Sequence, residues 1–395
     1  MSVDITPIDI DVDYMWSLFE RFVAVDTHAR IGENGIAPDD SRLARFARMT
    51  AAPALADLGA QVTVDRLNNV VARFGPDSGA ELLFVAYPAA HHSNEMADPL
   101  RARRVTTAAG EHWVGLGASQ GKGSLAGLCA AVRLLQARGI DLAGRVILAV
   151  SSEGRSSHHS AEVLFGGFEA LPAGAVLVVG TGNRLSLGNR GRVDVVVEVA
   201  GWATHSSAPD AGANPIPVAA EVVARVARVQ LDRAPHERLG RRSIVPYKLV
   251  CGPVAPHTIP SHCTIVFDRR TLPGDDTEMV VAEIAATLDD LPVTVRPGAV
   301  MLPALVAPDA AVVRALQAGA RASLGLPLEA FYPPYTFDAG YPCSLGVATV
   351  MFGPASSGHE GTGILGDDQV SLDQLLESAA VYAGAIAARG GAFGD

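Results

Sequence analysis

Lysine is almost absent from this chain. Of its 395 residues only Lys122 and Lys248 are lysines, so nearly all of its 31 basic side chains are arginines. Acidic residues outnumber basic ones, and the formal net charge at pH 7 is −11. Nucleic acids and anionic membranes attract basic protein surfaces. We therefore expect neither a nucleic-acid partner nor a membrane partner.

Cysteine and long apolar runs are also scarce. The four cysteines contain no C-x-x-C pair, and only Cys251 and Cys263 lie close together, 12 positions apart. This spacing indicates neither a zinc knuckle nor a disulfide framework. No apolar run of about 18 residues could span a membrane, and the acidic N-terminus lacks the basic and apolar segments of a signal peptide. We expect a reduced, cytoplasmic protein.

Apolar strands and amphipathic helices alternate over most of the chain. Short apolar runs predict buried strands at residues 81–87, 145–150, 175–179 and 346–352. Apolar residues at helical spacing predict helices at residues 13–26, 41–58, 124–137, 310–324 and 371–389. This alternation is typical of an α/β fold with a mostly parallel sheet flanked by helices. From about Gly191 the pattern changes and predicts a separate α+β unit.

One segment, Val195–Ile216, has a distinctive order of features. A β-branched strand ends at Gly201, a turn of small residues carries His205, and Asn214-Pro215 begins a helix, since Asn is a good N-cap and Pro suits the first helical position. Taken alone, a histidine in a turn is more often structural. The whole segment, however, resembles the G-x-x-x-H-S-x-x-P-x-x-G-x-N signature of the aminoacylase and acetylornithine deacetylase family. These di-zinc metallopeptidases also include succinyl-diaminopimelate desuccinylases and glutamate carboxypeptidases.

The resemblance covers nearly the whole chain and implies its organisation. It implies a discontinuous catalytic domain of residues 1–190 plus 302–395, with an inserted lid and dimerisation domain of residues 191–301. It also implies a homodimer formed through the lid domain and a small-molecule substrate. In the family, the histidine at the position of His205 polarises the reacting carbonyl, within its own subunit or across the dimer.

The positions that match the family's metal-binding motifs carry other residues. In chain order they are Tyr87 and Ala89 for a His-x-Asp motif, Gln120 for the bridging aspartate, Ser151-Ser152-Glu153 for an Asp-Glu-Glu motif, Thr181 or Gly182 for a fourth ligand, and Ile364 for a final histidine. A phenol is a poor zinc ligand at neutral pH, and a neutral amide cannot offset two divalent ions. We therefore expect the di-zinc centre to be lost and no cofactor to be required.

Other residues of the family's substrate site are retained or replaced by polar groups. Our candidate catalytic groups are Glu153 as acid or base, Tyr87 as acid or donor, and His205, which the resemblance implies is the carbonyl polariser. Our candidate substrate-binding groups are Arg270, Asn214 and Asp338, which match family positions, and His257 and Gln120, which replace family residues. Arginine and histidine donors suit a substrate carboxylate or carbonyl. The alternative for Arg270 is a structural charge at a strand end.

Three functions remain open from the sequence. The first is a metal-independent enzyme that hydrolyses an activated bond, or transfers a proton as an isomerase or lyase, on a small carboxylate- or amide-bearing substrate. The second is a metal hydrolase of the deacylase or carboxypeptidase type with a single relocated divalent metal. Its candidate ligands are the pairs His91-His92 and His158-His159, with Glu95, Glu153 and His359. The third is a non-catalytic binding or partner subunit.

Overall fold

A computed structural model describes most of the chain. The described residues are 5–29, 36–75, 82–90, 96–154, 156–231, 234–354 and 368–388. Four of the candidate relocated ligands, His91, His92, Glu95 and His359, lie outside these ranges, as does Ile364.

The chain divides into two compact units. The outer unit comprises residues 1–189, 304–333 and 337–395, and the inserted unit comprises residues 190–303 and 334–336. We had assigned residues 334–336 to the catalytic domain, but they group with the inserted unit. In this segment the Thr336 hydroxyl accepts a hydrogen bond from Arg270 of the inserted unit. The sequence does not indicate this contact.

The helices and strands follow one another in the alternating order expected. Within the described residues the α-helices are α1 (Val12–Val23), α2 (Ser41–Phe46), α3 (Ala52–Ala56), α4 (Gly123–Ala137), α5 (His159–Gly166), α6 (Pro215–Val226), α7 (Thr277–Thr287), α8 (Ala311–Leu324), α9 (Gly340–Ser344) and α10 (Leu372–Ala387). The strands are β1 (Gln61–Val64), β2 (Val70–Arg73), β3 (Leu82–Ala86), β4 (Arg103–Thr107), β5 (Gly110–Val114), β6 (Val146–Val150), β7 (Gly174–Leu177), β8 (Leu185–Ser186), β9 (Gly188–Asn189), β10 (Gly191–Ala200), β11 (Thr204–His205), β12 (Ser243–Gly252), β13 (Thr258–Ile259), β14 (His262–Thr271), β15 (Val293–Met301), β16 (Ala304–Leu305), β17 (Ala330–Phe331), β18 (Thr349–Met351) and β19 (Gln369–Ser371). Among the described residues, no helix is long and apolar enough to cross a membrane.

A mixed sheet forms the centre of the outer unit. Its strand order is β1-β2-β6-β3-β7-β18-β8-β17, and the pairs β6–β3, β3–β7 and β7–β18 at its centre are parallel. Every residue of β3 and β6 is buried, which explains why both strands are continuous apolar runs. Helices α4, α8 and α10 pack together beside this sheet. The prediction of an α/β fold with a mostly parallel sheet flanked by helices is confirmed.

An antiparallel sheet forms the inserted unit. Its strand order is β12-β14-β10-β15, and α6 and α7 pack on it around a core that contains Val197, Val222 and Ile284. Helix α6 begins as predicted, since the Asn214 side chain accepts a hydrogen bond from the backbone N–H of Ile216 at 3.1 Å.

A disulfide joins two neighbouring strands of this sheet. Cys251 on β12 lies directly opposite Cys263 on β14, and their sulfur atoms are bonded. The expectation of no disulfide was wrong, because strand register, which the spacing alone does not reveal, brings the two side chains together. Cys129 and Cys343 are free thiols.

Candidate functional site

Two candidate catalytic residues lie where neighbouring parallel strands end. Tyr87 directly follows β3, and Glu153 follows β6 by three residues. Parallel strands place their carboxyl ends at the same edge of a sheet, which is where open α/β sheets bind ligands. Both side chains are buried, and the Glu153 carboxylate accepts a hydrogen bond from the backbone N–H of Ser156 at 2.8 Å.

A third candidate, Asp338, lies at the centre of a hydrogen-bonded cluster. One of its carboxylate oxygens lies 2.6 Å from Nδ1 of His158, and the other accepts a hydrogen bond from the Tyr87 hydroxyl at 3.1 Å. Exposure is 5% for His158, 2% for Tyr87 and 1% for Asp338, so water scarcely competes for these contacts. We call these three residues the Tyr87–Asp338–His158 cluster.

The surroundings of this cluster are close-packed and largely aromatic. The Tyr87 ring meets the Phe337 ring edge-on at 5.0 Å, and the His158 ring lies 5.8 Å from the Tyr341 ring. Gly154 is required here, because a Cβ at that position would lie 2.2 Å from the Tyr87 ring. Burial raises the pKa of the Asp338 carboxyl to about 6, and the hydrogen bond from His158 opposes the rise.

Gln120 belongs to a different buried network of the outer unit. Its side-chain amide donates to the Asp368 carboxylate at 2.8 Å, and the same carboxylate accepts hydrogen bonds from the backbone N–H groups of Gly117 and Ser119. The turn that carries these donors also brings in Lys122, whose ammonium donates to a backbone carbonyl. The amide of Gln120 therefore stabilises a buried carboxylate, and its role in substrate binding stays a prediction.

His205 and His257 form an exposed pair in the inserted unit. His205 ends the short strand β11, and His257 directly precedes β13, the strand that pairs with β11. The centroids of their rings are 5.9 Å apart. Nδ1 of His205 accepts a hydrogen bond from the backbone N–H of Ser207 at 3.2 Å and lies 2.8 Å from its hydroxyl. An N–H donor aimed at Nδ1 leaves the proton of a neutral imidazole on Nε2. His205 thus has the tautomer in which Nε2 is a hydrogen-bond donor.

The two remaining predicted substrate-binding residues have partners within the inserted unit. The side chain of Asn214 caps α6. The Arg270 guanidinium makes two hydrogen bonds to Asp268, at 2.6 and 2.8 Å, and one to the Thr336 hydroxyl at 2.8 Å. This arrangement matches the structural alternative given for Arg270, although it does not test substrate binding.

Residues 187–295 match the model of a peptidase dimerisation domain, of the M20 type. A succinyl-diaminopimelate desuccinylase of Helicobacter hepaticus is 26% identical over 178 residues, which cover 44% of this chain and 44% of that relative. The chain resembles the M20 peptidases, most directly in its inserted unit. Its match spans less than half the length of the curated relatives.

Solved structures of peptidases share the fold over nearly the whole chain. The di-peptidase Dug1p of Saccharomyces cerevisiae has a TM-score of 0.76 at 14% identity, with 95% of each chain covered. The M20 family metallo-carboxypeptidase Sso-CP2 of Sulfolobus solfataricus has a TM-score of 0.73 at 15% identity, with 95% of this chain and 98% of that chain covered.

The resemblance to M20 peptidases overturns one of our expectations. We expected no cofactor, but M20 relatives are metallopeptidases, as the name of the Sulfolobus enzyme states. A divalent metal, zinc, is the ordinary cofactor of the family, so the expectation was wrong. It relied on individual positions of the chain and gave too little weight to the fold that surrounds them.

The described residues nevertheless do not fit the family's pair of zinc ions. The Tyr87 hydroxyl is hydrogen-bonded to Asp338, and the Gln120 amide is hydrogen-bonded to Asp368. The side chain of Ala89 has no atom that could bind a metal. Within the described ranges, no group of three or more His, Cys, Asp or Glu side chains is arranged to hold a metal ion.

His158 is the residue whose place in the site the sequence did not reveal. We considered it only as a relocated metal ligand in a pair with His159, whereas the structure pairs its Nδ1 with Asp338, 180 positions away. His159 faces solvent beside Glu162 in α5. The local signal for His158 is weak. It lies just before a short apolar helix, α5, in the segment that follows the end of strand β6.

Proposed function

We propose that this protein, which resembles the M20 peptidases, hydrolyses a C–N bond in a small substrate that carries a carboxylate or an amide. The site is the end of the central strands of the outer unit, with Glu153 and the Tyr87–Asp338–His158 cluster. In this proposal other residues replace the family's zinc ligands at two places. Tyr87 and Ala89 replace the His-x-Asp motif, and Gln120 replaces the bridging aspartate.

The observation that carries the proposal is the set of ionisable side chains buried at these strand ends. Glu153, His158 and Asp338 are each at most 5% exposed. Burying carboxylates and an imidazole costs free energy, even when they are hydrogen-bonded. A fold that needed only stability would be served better by apolar side chains there. Functional sites are where such groups concentrate.

Family relatives support the class of reaction. The named relatives include a desuccinylase, a di-peptidase and a carboxypeptidase, all of which cleave bonds between a carbonyl carbon and nitrogen. His205, with Nε2 as donor, suits the polarisation of a substrate carbonyl. Its role in this chain is part of the proposal.

We also propose that the protein is a homodimer formed through the inserted unit. Strand β12 lies at an edge of the sheet that the described residues form, and it exposes Val245, Tyr247 and Leu249 by 50% or more. An exposed apolar edge strand is a template for pairing with a second chain. Light scattering coupled to gel filtration tests this, and a mass of one chain would contradict it.

The experiment for the reaction combines substrate screening with metal analysis. Protein without a histidine tag is assayed on N-acetyl, N-succinyl and N-carbamoyl amino acids and on dipeptides, by detection of the released amine. The assay is repeated after incubation with zinc, manganese and cobalt followed by desalting, with bound metal measured by plasma mass spectrometry. Glu153→Gln tests the site, and Glu162→Gln, an exposed acid on α5, is its matched control.

We expect turnover of at least one substrate class, a large loss in Glu153→Gln and none in Glu162→Gln. Absence of turnover with every substrate and metal would reject the enzyme and favour a binding or partner subunit. Activity that requires two equivalents of bound zinc would reject the replaced centre while leaving the C–N hydrolase in place.

A further inference from the structure

The Cys251–Cys263 disulfide lies at the base of an exposed segment of the inserted unit. Cys251 is the last residue but one of β12, and Cys263 is the second residue of β14. Residues 253–261 connect these two strands and carry His257, and we call them the His257 segment. The disulfide therefore closes a covalent ring that contains the whole segment.

The His257 segment has little hydrophobic core of its own. Residues 253–257 are all exposed, and Val254 is 93% exposed. Within the segment only Ile259 and Pro260 are buried. A segment with so few buried contacts opens at a low cost in free energy. Its order therefore depends strongly on the covalent bond at its base.

The same segment determines where two histidines lie. His257 directly precedes β13, and β13 pairs with β11, which ends in His205. The backbone N–H of Ser206 donates to the His257 carbonyl at 2.8 Å, which extends this pairing by one hydrogen bond. Opening of the His257 segment would separate β13 from β11, and with them the rings of His257 and His205.

The two sulfur atoms of the disulfide differ in exposure. Cys263 is fully buried in the core beneath the sheet, whereas Cys251 is partly exposed. Thiol–disulfide exchange begins when a thiolate attacks an accessible sulfur atom. A small dithiol can therefore reach this bond through the sulfur of Cys251.

We propose that the Cys251–Cys263 disulfide is a redox-sensitive clamp on the His205–His257 pair. In the oxidised protein the clamp holds the His257 segment against β11, and reduction by a dithiol releases the segment. The clamp itself is independent of the reaction. Its control of turnover rests on the proposed function, in which His205 polarises the substrate carbonyl.

The exchange balances with the dithiol as the reductant. One thiolate of the dithiol bonds to Sγ of Cys251, the S–S bond breaks, and Cys263 leaves as a thiolate. The second thiol of the dithiol then attacks the mixed disulfide, and Cys251 leaves. The dithiol is oxidised to a cyclic disulfide, and the two cysteines receive its two electrons and two protons.

Hydrogen exchange measured by mass spectrometry tests the clamp in the wild-type protein. The oxidised protein is compared with protein treated with dithiothreitol, in which four free thiols confirm complete reduction. We expect amides of the His257 segment and of β11 to exchange about 10- to 100-fold faster after reduction, since a disulfide restrains a loop of this size by a comparable factor. We expect amides of α6, which packs on the same sheet, to exchange at an unchanged rate.

Two variants show which thiols are responsible. The double variant Cys251→Ser, Cys263→Ser should exchange rapidly in the His257 segment with and without dithiothreitol. The matched control is Cys343→Ser, which removes a free thiol of the outer unit and should respond to dithiothreitol as the wild type does.

Two exchange results would overturn the clamp, and both come from the wild type, so they hold even if the double variant fails to fold. The first is unchanged exchange of the His257 segment after complete reduction. The second is equal acceleration in the His257 segment and in α6, because the disulfide would then stabilise the whole inserted unit.

Turnover separates the clamp from the proposed function. With an active substrate, we expect reduction to lower wild-type turnover at least about tenfold, because loss of one donor to a reacting carbonyl costs about 10²- to 10³-fold. Reoxidation should restore it. An equal loss on adding dithiothreitol to the double variant would come from metal binding by the dithiol, and it would overturn the control of turnover by the clamp. No turnover of the oxidised protein with any substrate overturns the hydrolase, and hydrogen exchange then decides the clamp alone.

Discussion

The buried Lys122 provides a sharp test of the outer unit's electrostatics. Its side chain is fully buried, and its ammonium donates to the backbone carbonyl of Val25 at 2.7 Å. Burial lowers the pKa of Lys122 from 10.5 to about 7, although Asp368 and Asp26 act to raise it. The folded protein therefore releases a proton from Lys122 near neutral pH, while the unfolded chain keeps that proton until about pH 10.

The sign of the effect follows from proton linkage. Between about pH 7 and pH 10 the unfolded chain binds more protons at this position, so the contribution of Lys122 to the free energy of unfolding increases with pH. It decreases again as the pH falls towards 7. One pH unit corresponds to about 1.4 kcal/mol per proton, so the window of three units is worth roughly 3 to 4 kcal/mol.

The perturbation is Lys122→Met, which keeps the length of the side chain and removes the titrating group. The free energy of unfolding is measured for both proteins by urea denaturation at pH 7, 8, 9 and 10. We expect the stability of the variant relative to wild type to fall by roughly 3 to 4 kcal/mol across this range. Using the difference removes the contributions of thiols and tyrosines, which titrate in the same window.

The scarcity of lysine makes the control simple. Lys248, the other lysine of the chain, is only partly buried on β12. Lys248→Met therefore serves as the control for removing a lysine from a position that is not fully buried. A pH-independent difference for Lys122→Met would refute the reasoning, because it would mean that Lys122 holds its proton in the folded protein as firmly as in the unfolded chain.

Three further predictions concern other parts of the structure. Gly154→Ala should destabilise the protein by about 1 to 3 kcal/mol and lower any turnover at least tenfold, because its Cβ would displace the Tyr87 ring; thermal unfolding and the amine assay measure the two effects. Gln120→Glu should destabilise the protein at pH 7 by about 2 kcal/mol or more, less so near pH 4, because it places a second carboxylate beside Asp368. Thiol titration of the denatured, unreduced protein should find two of the four cysteines free, and all four after reduction.

Controls for these variants are available in the same chain. Gly166→Ala, at the end of α5, meets no atom within 4 Å and should leave both stability and turnover nearly unchanged. Gln230→Glu changes an exposed side chain and should leave stability unchanged at both pH values. Equal effects in a variant and its control would contradict the contacts described for Gly154 or Gln120, and four free thiols before reduction would contradict the disulfide.

The sequence alone determined most of the fold, because the relevant signals are local. The apolar runs that became β3 and β6 are buried on all sides, and their composition shows it. Asn214 caps α6 through a hydrogen bond to a residue two positions away. The segment around His205 was sufficient to indicate the family, since strand, turn and helix start follow one another in a fixed order.

The tertiary structure decided which polar side chains meet. Tyr87 and Asp338 are 251 positions apart and Gln120 and Asp368 are 248 apart, and both pairs are joined by hydrogen bonds. The disulfide depends on strand register, and the partner of His158 depends on which strand ends are neighbours. Neither can be predicted from local propensity or from the spacing of residues in the sequence. The sequence therefore identified Tyr87 and Asp338 as separate candidates, and only the folded chain showed that both are joined to each other and to His158 by hydrogen bonds.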